Sequence, residues 1–346
     1  LRESIAESLP GVMRMRTDWA SGQFSRRFEE VLSALGLLPA RTEAPVHLEP
    51  TPTPSRKRLL LVNHVRQQCG IHQYGRDMPE ALRTSTRYEC LYEECDDEAT
   101  FRKAVARTRP DLILYNHYPA TMPWVTPALT ASLAMPQAGV MHEVTQEAAD
   151  AADAALFDAH LCPDPTLIPR NPLALKIPRL VPSYMNLETP PEVPTIGSFG
   201  FPFRDKGFGR LVEMVQEEFD RARILLHLPQ NDIVPTNVEE VLEAVRSKIR
   251  KPGIEAAVNH RFLSKQELLL FLSQNSLNVF LYDEHKREGI SSVVEKAMAV
   301  GRPVAVNRSG MFRHIHGAQP SITLGDRSLK EIMASGIAPL VPYLSE

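Results

Sequence analysis

The segment Glu288–Val306, EGISSVVEKAMAVGRPVAV, carries the strongest chemical pattern in the chain. A run ending in Tyr282, Asp283 and Glu284 leads through a glycine-containing loop into an apolar helix, then through Gly301-Arg302-Pro303 into a short apolar strand. Amides at the start of a helix have no partner within it, and the helix dipole adds to their attraction for an anion such as a diphosphate. A carboxylate nearby can accept hydrogen bonds from the hydroxyls of a ribose or hexose, which is the combination a nucleotide-sugar requires. Ser292 and Glu295, like Ser264 and Glu267, also have the S-x-x-E spacing of a capping box, so Glu295 has two roles open to it.

A second pattern is Ile196–Gly207, IGSFGFPFRDKG, following the first strand of a new alternation. Gly197 and Gly200 let backbone come close to a ligand, and Arg204 and Lys206 supply cations that can neutralise a departing diphosphate. In the N-terminal half, a loop from Cys69 to Gly75 follows the first strand and contains Gly70. Asn116 and His117 end the run DLILY, and His142 and Glu143 end AGVM. Polar residues at the carboxyl ends of parallel strands face the ligand crevice of an open α/β sheet. Asp96-Asp97 lies in an acidic run read as helical surface, and no Asp-x-Asp stands where it would hold a metal-bound diphosphate. No metal and no cofactor are expected.

The elements that must position these residues are short apolar runs alternating with helical stretches, the mark of parallel sheets covered on both faces. Residues 1–56 form a preface: an amphipathic helix over Phe24–Leu38 with Phe24, Phe28, Val31 and Leu35 on one face, then a proline-stiffened linker. Residues 57–190 form a first α/β domain, with strands expected at Arg58–Asn63, Asp111–Tyr115, Ala138–Met141 and Ala159–Cys162. Pro178, Pro182, Pro190, Pro191 and Pro194 mark the connection to a second domain, 191–346. There the expected order is strand Thr195–Phe199, helix Gly209–Phe219, strand Arg223–His227, helix Asn237–Ile249, strand Ala256–Phe262, helix Lys265–Gln274, strand Leu277–Tyr282, helix Ser292–Val300 and strand Pro303–Asn307.

The segment from Thr195 to Ile315 resembles the second domain of retaining GT-B glycosyltransferases of the family-4 type. Such proteins open this domain with a strand, a glycine-containing turn and a basic pair ending in Lys-Gly. Their donor loop runs from one glutamate to a second that stands before an EAMA-like run, here Glu295 before Lys296-Ala297-Met298-Ala299. The two glutamates of this chain stand one residue closer together than in the family pattern. The resemblance implies two Rossmann-like domains facing a central cleft. Glu288 would lie near the donor sugar, Glu295 would bind ribose, and Gly289, Ser291 and Ser292 would offer amides to phosphate. His142 would lie near the reacting sugar, with the Gly70 loop facing acceptor and donor. The implied reaction is metal-independent transfer of a hexose from a nucleotide-sugar to a glycan or lipid-linked acceptor, with retention, as in polysaccharide biosynthesis. Another nucleotide-sugar reaction on this scaffold, or a non-catalytic binding module of a larger protein, remains open.

Composition fits this reading. The 346 residues are 43% hydrophobic and 23% charged, enough for two cores. A formal net charge of -3 argues against a nucleic-acid partner. No transmembrane segment or secretory signal is visible, although peripheral membrane contact is compatible with the sequence. Cys69, Cys90, Cys95 and Cys162 fall in no metal-ligand spacing and read as reduced thiols of a cytoplasmic protein. The chain begins at Leu1, which is compatible with an excerpt from a longer polypeptide.

Overall fold

The computed structural model describes residues 25–31, 56–230, 238–284 and 289–344. They form two compact units that divide between Leu180 and Val181, with Gln67–Gly70 grouped with the C-terminal one. Each contains one parallel sheet.

The N-terminal sheet has strands β1 (Lys57–Asn63), β2 (Tyr88–Glu94), β3 (Leu112–His117), β4 (Gln137–Met141), β5 (Ala159–Cys162) and β6 (Ala174–Lys176) in the order β2-β1-β3-β4-β5-β6. Leu59 and Leu61 of β1 pack with Met78 and Leu82 of the helix Gly70–Leu82, whereas Leu60 and Val62 pack with Phe101 and Ala104 of the helix Glu98–Thr108. Alternate side chains of a strand point to opposite faces, so the continuous apolar run of β1 is what a sheet covered on both sides requires. Residues 25–31 are helical, and Phe28 of that stretch is fully buried against the same face as Leu59. Phe24, Leu35 and the proline linker expected around them lie outside the described residues. Strand β2 was not expected. Asp97 is also not within a helix: it caps Glu98–Thr108 from outside, accepting from the Thr100 amide at 2.7 Å.

The C-terminal sheet has β7 (Thr195–Phe199), β8 (Ala222–His227), β9 (Ile254–Asn259), β10 (Leu277–Phe280) and β11 (Val304–Val306) in the order β11-β10-β7-β8-β9. Helices Phe208–Glu218, Val238–Lys248, Lys265–Ser273 and Val293–Ala299 alternate with these strands. β9 ends before the expected residue 262, because Asn259 turns the chain by accepting from the Arg261 amide at 2.9 Å. The capping box expected at Ser264 and Glu267 is present. No helix among the described residues is long and apolar enough to cross a membrane.

Both strand orders reverse direction once. In the first sheet the chain goes from β1 outward to β2, then returns to β3 on the other side of β1. In the second it goes from β7 to β8 and β9, then returns to β10 on the other side of β7. These switch points leave a crevice at the carboxyl ends of the flanking strands, where open α/β sheets hold ligands. Asn116 and His142 stand at the carboxyl ends of β3 and β4, and Gly200, Arg204 and Lys206 follow the end of β7.

Candidate functional site

In the C-terminal unit, the chain leaves β7 through Gly200 and reaches a single 3-10 turn at Arg204–Lys206 before the helix Phe208–Glu218. The Lys206 ammonium lies 3.8 Å from the centroid of the Tyr282 ring, just beyond β10, and 3.4 Å from Asp205 Oδ2; the lysine side chain is only 13% exposed. Asn307 holds the Tyr282 backbone on both sides, accepting from its amide at 3.2 Å and donating to its carbonyl at 2.6 Å. Gly207, in the left-handed region at φ 65°, lets the turn pass against β10: a Cβ there would fall 2.2 Å from the Leu281 carbonyl oxygen. The lysine is thus fixed at the β7/β10 switch point.

The other members of this motif behave differently. Arg204 is 71% exposed and pairs with Glu240 at 2.6 Å, so its guanidinium is engaged with the helix Val238–Lys248. Gly197 lies within β7, where a Cβ would fall 1.9 Å from Asn275 Nδ2; the glycine is there for packing against Asn275. The Gly200 amide donates to the His227 carbonyl at 3.1 Å, which engages it in the turn off the strand. Arg210, which sequence reasoning did not single out, ties the region together by donating to the Leu281 carbonyl at 2.8 Å and pairing with Asp283 at 2.7 Å.

In the loop before the helix Val293–Ala299, Glu288 lies outside the described residues, and Gly289 is buried. The Ser291 amide donates to the Met311 carbonyl at 2.9 Å, so that amide already has a partner. Ser292 precedes the helix Val293–Ala299, but its side chain makes no capping hydrogen bond, which corrects the capping box expected with Glu295. Glu295 is instead drawn into the interior, its Oε1 3.1 Å from His314 Nε2. Both side chains are almost fully buried, and the contact is a close pairing whose angle falls outside hydrogen-bond geometry. His314 carried no spacing signal in the sequence.

In the N-terminal unit, Asn63, Asn116 and His142 converge at the ends of β1, β3 and β4. His142 Nε2 lies 2.7 Å from Asn116 Oδ1, and Asn116 Nδ2 donates to Asn63 Oδ1 and to the Ile71 carbonyl, both at 2.8 Å. Asn63 Nδ2 donates to the His72 carbonyl at 3.0 Å and to the Tyr92 hydroxyl at 2.9 Å. The Tyr92 hydroxyl donates to Glu94 Oε1 at 2.8 Å, and His72 Nε2 lies 2.9 Å from the same oxygen. Gly75 makes this network possible, since a Cβ there would fall 2.6 Å from both asparagine Nδ2 atoms. Around Gly70 a Cβ would meet nothing within 4 Å.

Burial keeps His142, His117 and His64 neutral near pH 7. Burial, with smaller contributions from Arg179, His117 and His64, lowers His142 to about 3. Burial likewise lowers His117 and His64 to about 4. His117 stacks edge-on against Phe157 with ring centroids 5.2 Å apart and is 4% exposed, the surroundings of a core residue.

The sequence matches no family model and no curated protein at significance. Among solved structures, the chain is similar to that of Anabaena HepE in complex with UDP-glucose, with a TM-score of 0.56 and 12% identity over 84% of this chain and 93% of HepE. A glycosyltransferase from Rickettsia africae matches with a TM-score of 0.57 and 10% identity, again over 84% of this chain and 93% of the other. An α-glucosyltransferase in complex with UDP-glucose and DNA containing an abasic site matches with a TM-score of 0.50 and 9% identity, over 84% and 91%. Identities this low speak for architecture alone. With two parallel α/β sheets in one chain, each with a switch point at its strand ends, the chain has the GT-B fold.

Proposed function

We propose that the chain is a glycosyltransferase that moves a sugar from a nucleoside diphosphate-sugar to a hydroxyl of a glycan or lipid-linked acceptor, with retention and without a divalent cation. The observation that carries the reading is Lys206, a cation held against Tyr282 at the β7/β10 switch point. Tyr282 and Asp205 hold the Lys206 ammonium at the end of β7, where its charge can meet a diphosphate.

In this reading the anomeric carbon–oxygen bond breaks with its electron pair going to the diphosphate, and the acceptor oxygen bonds that carbon while its proton passes to the departing diphosphate oxygen. Lys206 stabilises the charge that develops on the leaving group, a contribution that is large in a site shielded from water. Glu295 accepts from ribose hydroxyls. His142 accepts from a hydroxyl of the transferred sugar. Arg204, engaged with Glu240, contributes little to binding.

The test is release of nucleoside diphosphate from a panel of nucleotide-sugars, with and without acceptor, and the anomeric configuration of the product by NMR. Release that depends on acceptor supports transfer. Equal release without acceptor marks a hydrolase, and no release with any donor refutes the reading.

A further inference from the structure

We infer that Asn116 is a positioning residue that fixes His142 in the Nε2–H tautomer, so that Nδ1 is presented as an acceptor to a sugar hydroxyl. The inference rests on the glycosyltransferase reading for its ligand, but its geometry stands apart from it.

The direction of every hydrogen bond in the chain behind His142 is set by backbone groups, which cannot exchange donor and acceptor roles. Asn63 Oδ1 accepts from the His64 amide at 3.0 Å, while Asn63 Nδ2 donates to the His72 carbonyl. These two contacts fix the orientation of the Asn63 amide. Asn116 Nδ2 then donates to Asn63 Oδ1 and to the Ile71 carbonyl, so the Asn116 amide is fixed as well. What Asn116 turns toward His142, at 2.7 Å, is its oxygen. An oxygen acceptor requires a proton on Nε2, and a neutral imidazole with Nε2–H has its lone pair on Nδ1. The ring is held neutral by the burial described above. The edge of Tyr74, with ring centroids 5.2 Å away, further limits its rotation.

The consequence is selective. Nδ1 can pair with a hydroxyl, which has a proton to give, but not with a phosphate oxygen, which has none. The polar end of β4 is thereby a hydroxyl-reading group. Sequence spacing shows no such division, because a histidine at the end of a strand reads equally as a phosphate ligand.

The experiment is a ¹⁵N-detected imidazole spectrum of the full chain near neutral pH, with His142 assigned by loss of its signals in His142→Gln. The inference expects the Nε2–H form, with a slowly exchanging Nε2 proton that loses its protection in Asn116→Val. The same variant should lose turnover by about 10- to 100-fold, as for partners that orient a functional imidazole, while nucleoside diphosphate affinity stays within about twofold. Asn116→Asp, with a carboxylate beside the ring, should instead raise the His142 titration toward neutrality, which reads the same contact even if the valine variant folds poorly. His142 found in the Nδ1–H form, or turnover of a folded Asn116→Val unchanged, overturns the inference. A wild-type chain that binds no nucleoside diphosphate and turns over no donor overturns the functional reading instead, whatever the spectrum shows.

Discussion

Glu295 and His314 meet in the interior of the C-terminal unit, Oε1 to Nε2 at 3.1 Å, with side chains 1% and 3% exposed. A carboxylate so deeply buried depends on its neighbours for compensation, and Ser292 does not make the side-chain cap that its spacing from Glu295 suggests. Glu295→Gln keeps the shape and removes the charge-assisted acceptor. Nucleoside diphosphate affinity is expected to fall by roughly tenfold, about 1.4 kcal/mol, by isothermal titration. Affinity unchanged in a folded variant would leave the glutamate a packing residue.

The two serines that share S-x-x-E spacing should respond differently to alanine. Ser264 and Glu267 form a capping box in which Ser264 Oγ accepts from the Glu267 amide at 3.3 Å, a bond that alanine cannot make, so Ser264→Ala should cost about 1 kcal/mol. Ser292 makes no side-chain cap, so Ser292→Ala should change stability by less than about 0.5 kcal/mol. Chemical denaturation of both variants measures the difference.

A methyl group distinguishes the two glycines of the helix Gly70–Leu82. Gly75→Ala pushes Cβ into Asn63 and Asn116, whose amides are committed to their hydrogen bonds, and should destabilise the fold by about 1–3 kcal/mol despite the better helix propensity of alanine. Gly70→Ala meets open space and should leave the melting temperature nearly unchanged. Equal effects would show that the asparagines can yield.

Buried histidines give stability a defined pH window. His64, His117 and His227 have folded values lowered to about 4 by burial, against an ordinary value near 6.5. Between these values the unfolded chain binds more protons than the folded one, so stability is full above about pH 6.5 and is lost as pH falls toward 4. Each such histidine contributes a slope of up to about 1.4 kcal/mol per pH unit within that window. Denaturation midpoints that are flat from pH 7 to 4.5 would contradict the buried, neutral assignment.

Much of this architecture was legible in sequence, for a physical reason. Strands buried on both faces leave little room for charge, as the run Leu59, Leu60, Leu61 and Val62 of β1 shows, and the limits of Thr195–Phe199 and Ala159–Cys162, which carry no Asp, Glu, Lys or Arg, were read without error. β2 escaped because it lies at the edge of its sheet and tolerates Glu89, Glu93 and Glu94. Lys206 and Gly207 were legible as a basic residue and a glycine after the first strand of the second domain, whereas the positive φ of Gly207 and its approach to Leu281 depend on a strand some 70 residues away. The Ser292 cap was misread because spacing cannot reveal that His314 stands beside Glu295 in the interior. The network behind His142 joins residues as distant as Asn63 and Asn116, and hydrogen bonds of that kind leave no periodicity to detect.

The central claim is that Lys206 holds a diphosphate at the β7/β10 switch point, and isothermal titration of UDP, GDP and ADP into wild type, Lys206→Ala and Arg204→Ala tests it most directly. At least one nucleotide should bind the wild type. Lys206→Ala should weaken that binding by about 1.5–3 kcal/mol, the worth of a charge-assisted hydrogen bond, and Arg204→Ala should change it by less than about 1 kcal/mol, because that side chain is an exposed partner of Glu240. Binding by none of the three nucleotides, or a folded Lys206→Ala variant that binds as well as wild type, would contradict the account.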